Sequence, residues 1–156
     1  KDPLFVQRCV HESLRLHPSS PVAKRKPMCP VHIPTGETGQ GDDEVVIDLY
    51  KANRQTATFG PDAAEFNPYR TLPATLPPYG ITFGVGIHTC LGRNLAAGDL
   101  AKPTTDPETH QYGTITLIAR ALIANNVRPD PANAPKREPN IAREAWAIYP
   151  VLLGPA

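Results

Sequence analysis

The distribution of proline limits the regular structure that this chain can form. Nineteen of its 156 residues are proline, and they cluster in residues 18–34, 61–78 and 129–139. Proline fixes its own φ angle, lacks a backbone N–H and interrupts helices and central strands. We therefore expect long ordered loops that connect a small number of regular elements.

Helical periodicity is clear near the N-terminus. Residues 4–16 predict a helix, because Phe5, Cys9 and Leu16 fall on one stripe and Pro3 suits a first turn. The other expected elements are an extended edge strand and its connection at 21–34, a turn-rich loop at 35–44, a strand at 45–50, a loop from residue 59, a helix at 93–100, a loop at 101–112, an amphipathic helix at 114–124, proline-rich coil at 127–139 and strand material at 145–153.

The composition excludes several classes of function. Sixteen basic and 15 acidic residues leave a formal net charge of +1, so neither a nucleic acid nor an anionic membrane is an expected partner. No apolar run approaches the roughly 20 residues that span a bilayer. Cys9, Cys29 and Cys90 lack the spacing of a zinc site, and three unpaired thiols suit a reducing compartment. We therefore expect a soluble, cytoplasmic protein with room for one core.

Cys90 is the residue most suited to chemistry. It directly precedes the helix predicted at 93–100, and a helix N-terminus stabilises a thiolate, which acts as a nucleophile or as a metal ligand. His88 could serve as the base of a nucleophile, but that hypothesis gives Gly84 and Gly86 no role. Glycines do have a role beneath a large flat cofactor, because they permit close approach of the backbone.

Residues 83–92 resemble the haem-binding signature of cytochrome P450s, Phe-x-x-Gly-x-(His or Arg)-x-Cys-x-Gly. The matching positions are Phe83, Gly86, His88, Cys90 and Gly92. A lone cysteine in a glycine-rich turn is usually a small buried residue. Several fixed positions within ten residues outweigh that interpretation here.

Two further segments resemble the same family. Residues 12–15 match its Glu-x-x-Arg helix, and residues 66–70 match its Phe-x-Pro-x-Arg element. Spacing alone would make Glu12 and Arg15 a surface ion pair worth less than about 1 kcal/mol. The resemblance instead implies a buried network of Glu12, Arg15 and Arg70. It also implies a short helix at 51–54.

The resemblance implies a fold and a cofactor. The fold is α+β, mainly helical with small β-sheets, and residues 1–156 would form the C-terminal, haem-proximal portion of a P450 without its N-terminal portion. The cofactor is haem b. Cys90 would be its axial iron ligand, and the surrounding positions are Phe83, Gly84, Gly86, Gly92 and Ala96, with Leu95 and Ala96 facing the cofactor or the core. His88 and Arg25 would hold the propionates, although a loop histidine and a solvated basic run at 24–26 are the alternatives.

The activity implied by the resemblance is that of a haem-thiolate monooxygenase. Such an enzyme inserts one oxygen atom of O2 into a small organic substrate, with electrons from a ferredoxin, a flavodoxin or a reductase, and Arg93 is a candidate for docking an acidic donor. The absent N-terminal portion would supply the distal proton-delivering pair. Residues 104–106 have suitable side chains, but they lie beside prolines and favour local capping. The alternatives are a non-catalytic P450-like module and one half of a split P450.

The loop at 101–112 departs from the family, in which the helix after the cysteine usually continues unbroken. Two prolines within this loop, at positions 103 and 107, are incompatible with that helix. We therefore predict an insertion at 101–112, after which the helical pattern resumes.

Overall fold

Two long helices form the centre of the fold. A computed structural model describes residues 2–33, 36–41, 43–141 and 145–154, and in it α1 (Pro3–Leu16) packs against both α4 (Arg93–Ala97) and α5 (Thr114–Ala124). Two further helices are short, α2 (Leu49–Ala52) and α3 (Thr56–Phe59). Within these ranges no helix has both the length and the apolarity that a membrane crossing requires.

The strands pair locally. In the described ranges they form two-stranded antiparallel sheets, which join β1 (Val22–Arg25) to β4 (Val45–Asp48), β2 (Val31–His32) to β3 (Thr38–Gly39), β5 (Arg128–Pro129) to β8 (Val151–Leu152), and β6 (Lys136–Arg137) to β7 (Trp146–Ile148). In the longest pair, Val22 lies opposite Asp48 and Arg25 lies opposite Val45. Small sheets combined with helices confirm the expected α+β class.

The buried face of α1 is unexpectedly polar. The helix begins where the Asp2 carboxylate accepts the N–H of Leu4 at 2.9 Å, and it ends before Pro18. The predicted stripe is wrong in part, because Phe5 and Cys9 are only half-buried. The buried residues are Val6, Gln7, Val10, His11, Glu12, Arg15 and Leu16. Long-range hydrogen bonds from the polar members determine which face of α1 turns inward.

Several predicted boundaries shift. The helix at 114–124 is confirmed with the same bounds. The helix at 93–100 ends early, at Ala97, because Gly98 adopts a positive φ of 75°. The strand at 45–50 stops at Asp48, whose carboxylate accepts the N–H of Lys51 at 2.8 Å and caps α2. The coil at 127–139 contains the short strands β5 and β6.

Part of the predicted loop at 35–44 is extended, since it contains β3. Residue 34, at the end of the predicted connection, and residues 35 and 42 of the loop lie outside the described residues. The described part of this loop therefore contains a strand that the sequence does not predict.

The apolar stripe of α5 is not packed as the sequence pattern predicts. Ile118 and Leu122 remain about half exposed, at 54% and 49%, whereas Thr116 is fully buried. Ile115 lines a groove between α5 and α1. Ile115 is itself 38% exposed, so the prediction that this stripe packs on the core is wrong for all three members.

The loop at 101–112 leaves and rejoins the fold at one point. Gly98 forms a β-bridge with Tyr112, and the N–H of Asp99 donates to the carbonyl of Gln111 at 3.0 Å. A Cβ atom placed on Gly113 would lie only 2.2 Å from the carbonyl oxygen of Ala96. The backbones on either side of the loop are thus in direct contact, and the insertion relative to the family stays a prediction.

Gly113→Ala should destabilise the fold, because the new methyl group meets backbone atoms that cannot rotate away. We expect a loss of about 3 kcal/mol in the free energy of unfolding, measured by urea denaturation. Gly41→Ala is the matched control, since its Cβ would find its nearest neighbour at an ordinary 3.8 Å. Equal stability of the two variants would contradict the close backbone contact.

Candidate functional site

The segment that carries Cys90 is a closed loop leading into α4. The N–H of Cys90 donates to the carbonyl of Phe83 at 2.7 Å, and the carbonyl of Cys90 accepts the N–H of Arg93 at 3.2 Å. A 3₁₀ turn, Gly86–His88, lies within the loop. The thiol of Cys90 is free and exposed. The loop therefore holds the cysteine backbone in place and presents its sulfur outward.

The three glycine positions of this loop differ in whether a side chain would fit there. Gly84 has a φ of 72°, and a Cβ there would lie 2.6 Å from the carbonyl oxygen of His88, so only glycine fits. Gly86 also has a positive φ, but its Cβ position faces open space. A Cβ on Gly92 would make ordinary contact with the Cys90 sulfur at 3.8 Å. Gly84 is therefore required by the conformation of the loop, whereas the space beside Gly86 is open to solvent or to a ligand.

Three apolar side chains close to Cys90 in the chain are exposed. Ile87 and Leu91 are almost completely exposed, at 96% and 103%, and Leu95 is 75% exposed. Leu95 therefore does not pack in the core. A soft sulfur donor among apolar side chains, with open space beside Gly86, fits a haem, whose iron takes a single cysteine ligand. Among the described residues, no group of three or more His, Cys, Asp or Glu side chains could hold a bare metal ion.

The other residues predicted to bind the cofactor lie at different positions. The ring of Phe83 packs edge-on against Tyr79, with centroids 5.1 Å apart. His88 ends the 3₁₀ turn and is exposed, and Ala96 is half-buried in α4. Arg25 lies on β1, where its Nη1 donates to the carbonyl of Lys24 at 2.8 Å. The propionate contacts of His88 and Arg25 therefore stay predictions.

The structure brings Glu12, Arg15 and Arg70 together. Arg15 is completely buried and binds Glu12 through two parallel bonds, Nε to Oε2 at 2.8 Å and Nη2 to Oε1 at 2.7 Å. Nη2 of Arg70 lies 3.4 Å from Oε1 of Glu12, and its Nη1 lies 2.5 Å from the Asp62 carboxylate. Two arginines and two carboxylates thus form a compact, charge-balanced cluster, which we call the arginine cluster.

The electrostatics of the arginine cluster favour its ionised state. Burial alone would raise the pKa of Glu12, but hydrogen bonds from Arg15 and the Asn67 N–H, with the charges of Arg15 and Arg70, hold that pKa below its ordinary value. Hydrogen bonds from Asn67 and Arg70 likewise lower the pKa of Asp62. Asp62 carried no signal in the sequence, because its role arises only from the folded loop.

A second unpredicted residue, Asn53, links this cluster to the cysteine segment. Its Nδ2 donates to the carbonyl of Arg15 at 3.1 Å and to Oγ1 of Thr82 at 2.9 Å, and its Oδ1 accepts the N–H of Ile81 at 2.9 Å. Asn53 is completely buried. The chain just before the cysteine loop is therefore fastened to the end of α1.

His11 also lies in this region, although no pattern in the sequence singles it out. Its Nε2 is 2.9 Å from the carbonyl oxygen of Ala97, the last residue of α4. Burial lowers the pKa of His11 below its ordinary value, and the bond to Ala97 only partly opposes this. The folded state therefore favours the neutral imidazole.

Two other candidates have purely local contacts. Oγ1 of Thr105 accepts the N–H of Lys102 at 2.8 Å, and the Asp106 carboxylate accepts the N–H of Glu108 at 3.0 Å. These contacts agree with the interpretation of residues 104–106 as a self-capped loop. Nε of Arg93 donates to Oδ1 of Asn94 at 3.1 Å, and its docking role stays a prediction.

Comparison with known proteins identifies the family. The family model described as Cytochrome P450 matches residues 3–101 of this chain. The chain belongs to the cytochrome P450 family. The match ends where the loop at 101–112 begins, and it includes both the arginine cluster and the Cys90 segment of this P450 chain.

Individual relatives support the assignment. The cytochrome P450 monooxygenase mpaDE of Penicillium brevicompactum is 30% identical over 172 aligned residues, covering 95% of this chain and 19% of that protein. Indoleacetaldoxime dehydratase of Arabidopsis thaliana is 36% identical over 99 residues, covering 60% and 20%. The solved structure of CYP154A1 from Streptomyces coelicolor A3(2) is 26% identical with a TM-score of 0.70, covering 96% and 33%. The P450 chain thus spans about a fifth of the curated relatives and a third of the solved structure.

Glu12→Ala should strongly destabilise this P450 chain, because it leaves two buried arginine side chains short of a counter-charge. We expect a loss of about 3–5 kcal/mol in the free energy of unfolding, measured by urea denaturation followed by circular dichroism. Glu44→Ala is the control, because its ion pair with Lys24 is exposed and should contribute less than about 1 kcal/mol. If Glu12→Ala loses no more free energy of unfolding than the control does, the cluster contributes no more than a surface ion pair.

Acid should weaken the fold through His11. Because the folded-state pKa of His11 is lowered, the unfolded chain binds a proton that the folded chain does not, once the pH falls below the ordinary value of about 6.5. Stability should therefore be steady above that pH and decline as the pH falls below it. In His11→Gln that part of the decline should disappear. Urea denaturation at a series of pH values tests this, and an unchanged decline in the variant would contradict it.

Proposed function

We propose that residues 1–156 are the C-terminal, haem-proximal portion of a haem-thiolate monooxygenase in which Cys90 is the axial ligand of the iron. The observation that carries this proposal is the exposed Cys90 thiol, presented by a loop whose backbone is fixed at Phe83. The P450 family membership and the monooxygenase names of several relatives support it.

The side chains around the sulfur have separable tasks in this proposal. In this proposal Gly84 sets the conformation of the loop, Gly86 and Gly92 admit the cofactor, and Phe83, which packs against Tyr79, covers the sulfur. The apolar surface formed by Ile87, Leu91 and Leu95 would exclude water from the cofactor edge. His88 and Arg25 would bind the propionates, and Ala96 would lie beside the ring. When bound, haem supplies the oxidative chemistry, and thiolate ligation favours O–O cleavage.

The rest of the catalytic apparatus would belong to the portion of a P450 that this chain does not span. That portion would supply the distal helix and most of the substrate pocket. The partners in this proposal are a small organic substrate and an electron donor, either a ferredoxin, a flavodoxin or a reductase, in a cytoplasm that keeps thiols reduced. The haem is of the b type.

A second candidate is a P450-like haem-binding module, or one half of a split P450, that does not turn over alone. The coverage of about a third of a solved P450 structure favours it. In addition, one relative is named a dehydratase, so family membership alone does not specify oxygen insertion. Both candidates require Cys90 to bind haem, and they differ in whether this chain alone completes the site.

Haem loading tests the proposal. The purified chain mixed with haemin, reduced with dithionite and exposed to carbon monoxide should show the absorbance band that gives the family its name. Cys90→Ser should abolish that band, since a hydroxyl does not replace the thiolate. Cys29→Ser, which removes another exposed thiol, should leave it unchanged.

Three outcomes separate the candidates. The thiolate band in the chain alone supports haem-thiolate ligation by this portion. A band that forms only after addition of an upstream P450 portion favours the split protein. Haem uptake that is equal in wild type and Cys90→Ser would refute Cys90 as the ligand.

A further inference from the structure

Helix α1 holds the segment that follows Cys90 through two buried side chains. Nε2 of Gln7 lies 3.2 Å from the carbonyl oxygen of Ala97 and 3.0 Å from that of Asp99. Nε2 of His11 lies 2.9 Å from the same Ala97 oxygen. A carbonyl oxygen can only accept, so both side chains donate. Gln7, His11 and Ala97 are almost completely buried, which makes these bonds costly to lose.

The loop at 101–112 fixes the orientation of the Gln7 amide. Nε2 of His110 lies 3.0 Å from Oε1 of Gln7, and the His110 ring packs edge-on against Tyr112 with centroids 4.8 Å apart. Because the amide nitrogen of Gln7 already serves two carbonyls, its oxygen must accept from His110. The inserted loop thus completes the hydrogen bonding of a residue that holds the end of α4.

His11 also contacts the chain that precedes Cys90. Its ring packs edge-on against Tyr79 at 5.4 Å, and Tyr79 packs edge-on against Phe83 at 5.1 Å. The carbonyl of Phe83 accepts the N–H of Cys90. The cysteine segment thus has two arms, the chain before Cys90 that includes Tyr79 and the chain after it that ends at Ala97. The imidazole of His11 contacts the first arm through its ring and the second arm through its N–H.

We propose that Gln7 and His11 are positioning residues for Cys90, holding the two arms of its segment at a fixed distance from α1. The significance of this placement for haem rests on the proposed function, in which Cys90 is the ligand. The placement itself belongs to the polypeptide and can be measured without haem. Neither residue is part of the Glu12–Arg15–Arg70 contacts, so the two supports of the segment are separate.

Hydrogen exchange of backbone amides on the full chain tests the proposal. His11→Phe keeps an aromatic ring against Tyr79 but removes the N–H that serves Ala97. We expect the amides of Cys90 and α4 to exchange at least about tenfold faster, while those of β1 and β4 stay unchanged. His11→Gln retains an N–H donor for Ala97 and should restore wild-type exchange of the α4 amides to within about twofold.

A second variant guards against failure to fold. Gln7→Met approximates the shape of the glutamine without its amide and should accelerate the same amides. Ser13→Ala changes an exposed position of α1 and is the control. Equal acceleration of the α4 amides by His11→Phe and His11→Gln, or acceleration spread evenly over the chain, would overturn the proposal, because only a general loss of stability would then be seen.

Haem-loaded protein separates this inference from the proposed function. If wild type forms the thiolate carbon monoxide complex, His11→Phe should convert part of it to the form without thiolate, and His11→Gln should not. An unaltered spectrum in His11→Phe would refute the claim that His11 positions Cys90 as the haem ligand. If wild type shows no thiolate complex, either alone or with an added upstream P450 portion, the proposed function fails, and the exchange experiment still decides whether these residues hold the Cys90 segment.

Discussion

The fold depends on the burial of one cation, the guanidinium of Arg15. A buried charge is strongly unfavourable unless every donor finds a partner and an opposite charge lies nearby. Arg15 meets both conditions: Glu12 takes two of its bonds, and the carbonyls of Asn53, Ala63 and Glu65 take the others. These acceptors belong to separate segments. The chain between α2 and the cysteine loop must therefore wrap around the end of α1 to satisfy a single side chain.

This requirement explains how a proline-rich chain forms an ordered structure with little regular secondary structure. Loop carbonyls that would bond within helices or sheets elsewhere instead converge on arginine side chains. Arg70 repeats the arrangement with the carbonyls of Phe59, Asp62 and Glu65. The polar face of α1 is therefore the organising surface of the fold, and the cysteine segment is fastened to that surface at both ends.

The sequence predicts the parts of this structure that depend on local order. The periodicity of residues 114–124 predicts α5 with correct bounds, and the spacing of Glu12 and Arg15 brings them onto one helical face. It does not predict Asn53 or His11, because their hydrogen-bond partners lie far along the chain. It does not predict Asp62 either, because the contacts of Asp62 with Asn67 and Arg70 form within an irregular loop that has no periodic signal. The pattern also does not predict the ends of α4 and β4, because a positive φ at Gly98 and the side-chain cap by Asp48 determine them.

The direct backbone contact at the base of the loop at 101–112 also has a consequence for how this region can vary. Because Gly98 and Gly113 already touch, the separation of α4 and α5 does not depend on the length of chain between them. The length of the loop can therefore change without moving the two helices. Added residues would only enlarge the part of the loop that projects from the surface, at little entropic cost. His110 constrains such remodelling, because its Nε2 contacts Oε1 of Gln7 on α1.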